Sequence, residues 1–149
     1  MRSTATASRS WCVTATTGTA PPPRATLSTI PTGCGNSPSD SPAGPNEVVL
    51  SLDWAPNLCT GNDVLHGGIV MALADSSGAV CAFLNLPEGA GGTATIESKT
   101  NFFAATRSGT VKAHSHPLHI GKRVIVVETE IRGDDGKLAA KTIQSQAVL

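Results

Sequence analysis

The spacing of apolar residues changes twice along the chain. Residues 48–54 alternate between apolar and polar side chains, which predicts a β-strand. From Ile69 to Leu84 the apolar residues recur every three or four positions, which predicts a long helix. Four later segments return to a period of two and predict strands: residues 93–103, 110–116, 122–131 and 137–148.

Turn signals separate these elements. Asn85-Leu86-Pro87 ends the helix, and Asp134-Asp135-Gly136 is typical of a hairpin turn. Because there is no second helix to cross between parallel strands, we expect an antiparallel sheet. The expected α+β architecture has the last four strands in a meander and the apolar helix on one face of the sheet.

The first 45 residues differ in composition from the rest. Ser, Thr, Ala, Pro and Gly make up most of this segment, which contains three arginines and one acid, Asp40. Such a segment buries too little apolar surface to offset its ordering entropy, so we expect a disordered leader at 1–45 and a folded domain at 46–149. The same composition also describes an organelle transit peptide.

Charge and composition exclude several classes of partner. Eleven basic and eleven acidic residues balance, and aromatic residues are only 3%, so nucleic-acid binding is not expected. No apolar run approaches the roughly 18 residues that span a bilayer, so no membrane is expected. Four widely spaced cysteines without a C-x-x-C pair favour a reducing compartment, which we take to be the cytoplasm.

The first candidate catalytic residues lie at the start of the predicted helix. Leu65-His66-Gly67-Gly68 precedes the first helical turn, and a helix N-terminus presents unpaired N–H groups and a partial positive charge. These groups suit a carbonyl oxygen that gains negative charge, as in an oxyanion hole. The alternative is that the glycines only ease a tight turn and that His66 caps the helix.

Asp75 is the second candidate, because it is a carboxylate in the middle of an apolar helix. Such a group is costly to bury, which makes it a candidate base or nucleophile. His66 and Asp75 are nine residues apart, so they point to opposite sides of the helix with about 13.5 Å of rise between them. If both serve one site, the acid comes from a second copy of the chain, which predicts a two-fold dimer.

Two motifs resemble a known family. Leu65-His66-Gly67-Gly68, followed after four residues by Leu73-Ala74-Asp75, is similar to the signature of hotdog-fold acyl-CoA thioesterases of the PaaI-like, phenylacetate-pathway branch. The 4-hydroxybenzoyl-CoA thioesterases are its wider relatives. The segment from Thr95 to Phe102 resembles the strand that follows the helix in this family. The resemblance covers about residues 47–149.

The resemblance implies a hotdog fold and hydrolysis of an acyl-CoA thioester to a free acid and CoA. Coenzyme A would enter as part of the substrate, with no other cofactor and no metal. His66 and Gly67 would polarise the thioester carbonyl, Asp75 of the partner subunit would activate water or attack directly, and Thr95 would place the water or acyl group. The protein would be a homodimer or a dimer of dimers.

Further residues are candidates for substrate binding. Thr60 stands where the family usually has an Asn six residues before the histidine, and Asn57 or Asn62 could take over its role. Phe83, Phe102 and Phe103 could contact an acyl group or belong to the core. The expected substrate-binding residues are Gly68, Thr60, Asn62, Phe102, His119, Lys122 and Arg123, with Arg107 as a weaker phosphate contact.

Several alternatives remain. A hotdog module that binds acyl-CoA without catalysis would keep the glycine turn but lose the acid, and Asp75 is retained. A hotdog hydratase or dehydratase would need a different pattern at the helix start. His114, His116 and His119 could hold zinc, although no fourth ligand is near in sequence. Cys81 could be a nucleophile, but its apolar surroundings favour a buried structural thiol.

Overall fold

The computed structural model describes residues 43–149 of the chain. The predicted leader therefore lies outside the described residues, apart from its last three positions. These three lie against the domain: Ala43 forms a β-bridge with Val48, and the Pro45 carbonyl accepts a 2.7 Å hydrogen bond from the Asn85 side chain.

The described residues form one α-helix, two short 3₁₀ turns and five strands. The helix α1 (Gly67–Leu84) ends where the sequence predicts and begins two residues before the predicted Ile69, so that Gly67 and Gly68 form its first turn. The 3₁₀ turns, Pro56–Leu58 and Gly61–Asp63, shape the loop before it. The strands are β1 (Val48–Asp53), β2 (Thr93–Phe102), β3 (Thr110–Ile120), β4 (Val124–Arg132) and β5 (Leu138–Val148).

All strand pairs are antiparallel, in the order β1-β3-β4-β5-β2. The predicted α+β architecture is confirmed, but the four-strand meander is wrong. Only β3, β4 and β5 are consecutive neighbours, while β2 pairs with β5 at the far edge and not with β3. The seven residues between β2 and β3 allow the chain to cross the end of the sheet. As a result, β1 and β2 are the sheet edges.

Strand β3 is longer than predicted, because it continues through Pro117 to Ile120. A register shift between Pro117 and His119 breaks the regular pairing with β4. Proline cannot donate a ladder hydrogen bond, and a bulge allows the strand to continue past it. His119 therefore lies within strand β3.

The helix packs across one face of the sheet and contacts all five strands. By length and mean composition the 18-residue helix could span a bilayer, although Asp75, Ser76 and Ser77 interrupt its apolar residues. Its buried face explains the apolar composition: Val70, Leu73, Ala74, Cys81 and Ala82 pack towards the sheet. Such composition is equally typical of the core helix of a globular domain.

A row of buried hydroxyl groups separates two apolar clusters under the helix. Ser115 and Thr129 are paired across β3 and β4, with their hydroxyl oxygens 2.7 Å apart. Ser115 also donates to Ser77 of the helix at 2.7 Å, and Thr142 on β5 lies 2.8 Å from the Thr100 hydroxyl on β2. Because each hydroxyl has a partner, the row can be buried without a large desolvation cost.

Gly78 of the helix packs against the Gln144 side chain of β5, and Gly78→Ala is expected to lower the melting temperature by several degrees. An added Cβ would lie 2.5 Å from Cδ and Oε1 of the fully buried Gln144. Overpacking costs about 1–3 kcal/mol, which outweighs the ~1 kcal/mol advantage of Ala over Gly in a helix. Thermal unfolding followed by circular dichroism measures the change.

Gly92→Ala is the matched control, since no atom lies within 4 Å of its added Cβ. Adding Gln144→Ala to Gly78→Ala should relieve the clash, so the double variant should lose less stability than the sum of the two single variants. A melting temperature of Gly78→Ala equal to or above that of the wild type would contradict this packing.

Candidate active site

His66 is the N-cap of the helix. Its backbone is extended, at φ −62° and ψ 130°, and its Nδ1 accepts a 2.8 Å hydrogen bond from the Gly68 N–H. The capping role considered from the sequence is thus confirmed. An accepting Nδ1 places the proton of the neutral ring on Nε2, which leaves Nε2–H as a donor on this exposed side chain. Capping and carbonyl polarisation are therefore compatible in one side chain.

The Gly67 N–H is the second donor at this helix end. None of the hydrogen bonds of the described residues uses it as a donor. A Cβ at Gly67 would lie 3.3 Å from Cζ of Phe102, so glycine allows the Phe102 ring to pack close to the helix start. The geometry leaves one backbone donor beside an aromatic ring.

A cavity of about 360 Å³ adjoins the Gly67 backbone. Its walls are mostly apolar, and they bring together three of the predicted site residues, Thr60, Gly67 and Phe102. The remaining lining residues are Val64, Leu65, Val70, Phe103, Ala104, Ala105, Thr106 and Ala139. An apolar cavity next to a free N–H donor suits an apolar group attached to a carbonyl.

Asn62, Gly68 and Phe83, which the sequence offered as candidates near the acyl or thioester group, do not line this cavity. Asn62 has a left-handed backbone, at φ 62°, and its carbonyl accepts a hydrogen bond from the Arg107 guanidinium. Phe83 is exposed near the other end of the helix. Thr60 lines the cavity, but its hydroxyl donates to the Gly61 carbonyl at 3.1 Å. Gly68 sits in the first helical turn, where its N–H is used by His66.

Asp75 lies on the helix beside strand β2. Its Oδ1 accepts a 2.9 Å hydrogen bond from the Thr95 hydroxyl, which brings together two predicted catalytic residues. The Thr95 hydroxyl in turn accepts a 2.7 Å hydrogen bond from Nε2 of Gln146 on β5. Sequence reasoning missed Gln146. The only signal was the alternation of polar residues along β5, and from sequence the inward face of that strand could not be distinguished.

The donors at the helix start and the Asp75 carboxylate lie far apart along the helix. Asp75 lies eight residues beyond Gly67, about 12 Å along the helix axis. Strand β2 follows the same separation, because Thr95 contacts Asp75 and Phe102 packs against Gly67 at the other end of the strand. The helix start and the carboxylate are thus well separated within one chain, as the nine-residue spacing predicted.

The predicted phosphate contacts His119, Lys122 and Arg123 are all exposed, at the end of β3 and in the turn that follows. Strand register places Ile120 opposite Ile125, Ile125 opposite Gln146, and Gln146 opposite Thr95. These side chains therefore lie at the Asp75 end of the sheet, three strand spacings or about 14 Å from Thr95. They are far along the strands from the Gly67 cavity.

His114 and His116 each lie beside a glutamate, and Cys81 is buried in the core. His114 lies 3.2 Å from Glu47, and His116 lies 3.4 Å from Glu128, both outside the buried face of β3. Within residues 43–149, no group of three metal-ligating side chains comes together. Cys81 is fully buried, and this burial raises its pKa to about 11, so it stays a thiol at neutral pH. The interpretation of Cys81 as a structural residue is confirmed.

Comparison with known proteins agrees with this geometry. The family model of the thioesterase superfamily matches residues 62–140, which include the helix start, Asp75 and Thr95. The chain belongs to the thioesterase superfamily. The prediction of a hotdog fold is confirmed with it: a crystal structure of a thioesterase from Haemophilus influenzae aligns with a TM-score of 0.67 and 26% identity, over 71% of this chain and 73% of that one.

Two relatives of this thioesterase-superfamily chain are informative. A protein of Saccharolobus solfataricus, named provisionally as an esterase, is 35% identical over 68% of this chain and 71% of its own length. The 1,4-dihydroxy-2-naphthoyl-CoA hydrolase of Escherichia coli is 34% identical over 58% of this chain and 62% of its own length. That relative is named for hydrolysis of an aromatic acyl-CoA thioester.

Proposed function

We propose that this protein hydrolyses an acyl-CoA thioester to a free carboxylic acid and CoA, and that it belongs to the PaaI-like branch of its superfamily. The observation that carries the proposal is the pair of half-sites on one helix. Unused N–H donors lie at its start beside an apolar cavity, and a hydrogen-bonded carboxylate lies about 12 Å further along. The superfamily and the E. coli relative support a thioester as substrate.

The helix start would bind the thioester carbonyl. The Gly67 N–H and the His66 Nε2–H would donate to the carbonyl oxygen, and the helix dipole would favour the negative charge that develops on it. The acyl group would then occupy the cavity beside Phe102 and Phe103. This arrangement favours an aromatic or medium-length apolar acyl group.

Asp75 would supply the attack on the carbonyl carbon. As a base it takes a proton from water while the water oxygen bonds to carbon; as a nucleophile its own oxygen bonds first, and water then cleaves the anhydride. In both routes the C–S bond breaks and the sulfur leaves as the thiol of CoA after taking up a proton. Thr95 would hold the carboxylate in place through its 2.9 Å hydrogen bond.

A second copy of the chain would complete each site. Strand β2 is a sheet edge with large exposed apolar side chains, Ile96 at 63% and Phe102 at 51% exposure. Antiparallel pairing of two β2 edges about a two-fold axis at mid-strand would set the Phe102 end of one subunit beside the partner subunit's Thr95 and Asp75. We therefore propose a homodimer, which could assemble further into a dimer of dimers.

The CoA portion would then extend over the subunit that supplies Asp75. Because His119, Lys122 and Arg123 lie at the Asp75 end of the sheet, their positive and donor groups would meet the phosphates on that subunit. Each substrate would thus have its carbonyl on one subunit and its phosphates on the other.

Thiol release from acyl-CoA thioesters tests the proposal. We expect the protein to release CoA from at least one of benzoyl-, phenylacetyl-, 1,4-dihydroxy-2-naphthoyl- and hexanoyl-CoA, measured continuously with a thiol reagent. The aromatic thioesters should give higher kcat/KM than acetyl-CoA, because a small acyl group leaves the cavity unfilled. Acyl-carrier-protein thioesters of the same acyl groups would show whether the CoA nucleotide is required.

Two controls make this assay decisive. Asp75→Asn protein, purified in parallel, should release thiol at least about 100-fold more slowly, which excludes a contaminating thioesterase as the source of the wild-type activity. Binding of an acyl-CoA by calorimetry without release of thiol by the wild type would contradict hydrolysis and indicate the non-catalytic binding module. Absence of both binding and release across the panel would overturn acyl-CoA as the ligand.

A further inference from the structure

We propose that Gln146 is a positioning residue for the reaction, because its side-chain amide directs the hydroxyl hydrogen of Thr95 towards the Asp75 carboxylate. This inference rests on the proposed thioesterase function. It assigns a role to a side chain on the last strand that has no contact with the helix start or with the cavity.

The relay consists of two hydrogen bonds in series. Gln146 Nε2 donates to Thr95 Oγ1 at 2.7 Å, and Thr95 Oγ1 donates to Asp75 Oδ1 at 2.9 Å. A hydroxyl group has only one hydrogen but can also accept. Because the amide already donates to the Thr95 oxygen, the hydroxyl hydrogen is free to point at the carboxylate. Without that amide, the hydroxyl could rotate away from Asp75.

The far side of the amide also has a polar neighbour. Oε1 of Gln146 lies 3.1 Å from the Thr93 hydroxyl, which can donate its single hydrogen either to this oxygen or to the Ala147 carbonyl at 2.9 Å. Gln146 is fully buried, so water does not compete for its amide, whereas Thr95 is exposed. A register shift between Thr95 and Glu97 leaves Ile96 without a paired residue on β5. Such a bulge changes the direction of nearby side chains, here beside the residue that contacts Asp75.

Gln144 is a second buried glutamine on β5, and it takes no part in the relay. It lies two residues earlier on the same inward face of β5 and is also fully buried. Its Oε1 has no partner, and its Nε2 reaches only the backbone oxygen of Asp75, at 3.4 Å. By contrast, both polar atoms of the Gln146 amide are paired, and the chain of bonds ends on the reactive carboxylate.

A double-mutant cycle tests the relay. We expect Gln146→Met and Thr95→Val each to lower kcat by about tenfold, the scale of a lost hydrogen bond to a charged group, with KM within about twofold. In the double variant, kcat should fall no further than in Thr95→Val alone, because the amide acts only through the hydroxyl. The rates are measured with the acyl-CoA that the wild type hydrolyses best, and melting temperatures are recorded for every variant.

Gln144→Met is the matched control, since it makes the same substitution on the same strand face. It should leave kcat within about twofold of the wild type. If Gln146→Met does not fold, Thr93→Val tests the relay from its far end, where we expect a smaller loss of kcat that disappears in the Thr95→Val background. The Thr93 variant removes the hydroxyl that lies 3.1 Å from the amide oxygen, together with its 2.9 Å contact to the Ala147 carbonyl.

The outcomes separate this inference from the proposed function. The relay would be overturned if the losses of kcat in Gln146→Met and Thr95→Val multiplied in the double variant. It would also be overturned if Gln146→Met lost no more kcat than Gln144→Met. In those cases the wild type still hydrolyses the substrate and Asp75→Asn still abolishes turnover. A wild type that releases no thiol from any acyl-CoA would overturn the proposed function and this inference together.

Discussion

Asp75→Asn is expected to lower kcat by at least about 100-fold, the usual scale for loss of a positioned base. The amide is nearly the same size as the carboxylate, and its oxygen can still accept the hydrogen bond from Thr95. The fold and acyl-CoA binding should therefore survive, since His66, Gly67 and the exposed cations are unchanged. Steady-state kinetics gives kcat, and calorimetry with an acyl-CoA gives the affinity.

Asp53→Asn is a matched control for this variant. Asp53 on β1 accepts a 2.7 Å hydrogen bond from the Thr110 hydroxyl, so it repeats the Thr-to-Asp contact at the opposite edge of the sheet. It should retain wild-type kcat. If Asp75→Asn also kept its turnover while folding normally, Asp75 could be neither the base nor the nucleophile.

Subunit complementation is expected to restore activity from two inactive proteins. In a heterodimer of an Asp75→Asn chain and a His66→Ala chain, one interface site contains both substituted residues and the other contains neither. The purified heterodimer should therefore show about half the turnover of the wild-type dimer, while both mutant homodimers stay near background. Two different affinity tags allow the heterodimer to be isolated, and native mass spectrometry verifies its composition.

Tagged wild-type chains taken through the same exchange and purification provide the reference activity. A verified heterodimer without activity would show that His66 and Asp75 act within one chain or that the two sites cannot work independently. A wild-type protein that remains monomeric and fully active at high dilution would remove the need for a partner subunit altogether.

Much of the candidate site follows from local sequence. The helix and its end near Asn85 follow from the apolar spacing and the flanking turn residues, and the structure confirms them, with the first turn beginning two residues before the predicted Ile69. The Thr95–Asp75 contact agrees with roles that were assigned from a family resemblance. Gln146 was not predictable in this way, because its role depends on which face of β5 turns inward and on which strand lies beside it.

The sequence by itself determined the elements, their order and the separation of His66 from Asp75, because helix geometry and turn chemistry act over a few residues. Only the tertiary structure decided that β2 crosses to the far edge beside β5, since strand pairing is a choice among distant segments. That choice places Thr95 opposite Gln146 and leaves the β2 edge exposed. The cavity around Thr60, Gly67 and Phe102 arises in the same way, from residues that are distant in the chain and are brought together only by the packing of the helix against the sheet.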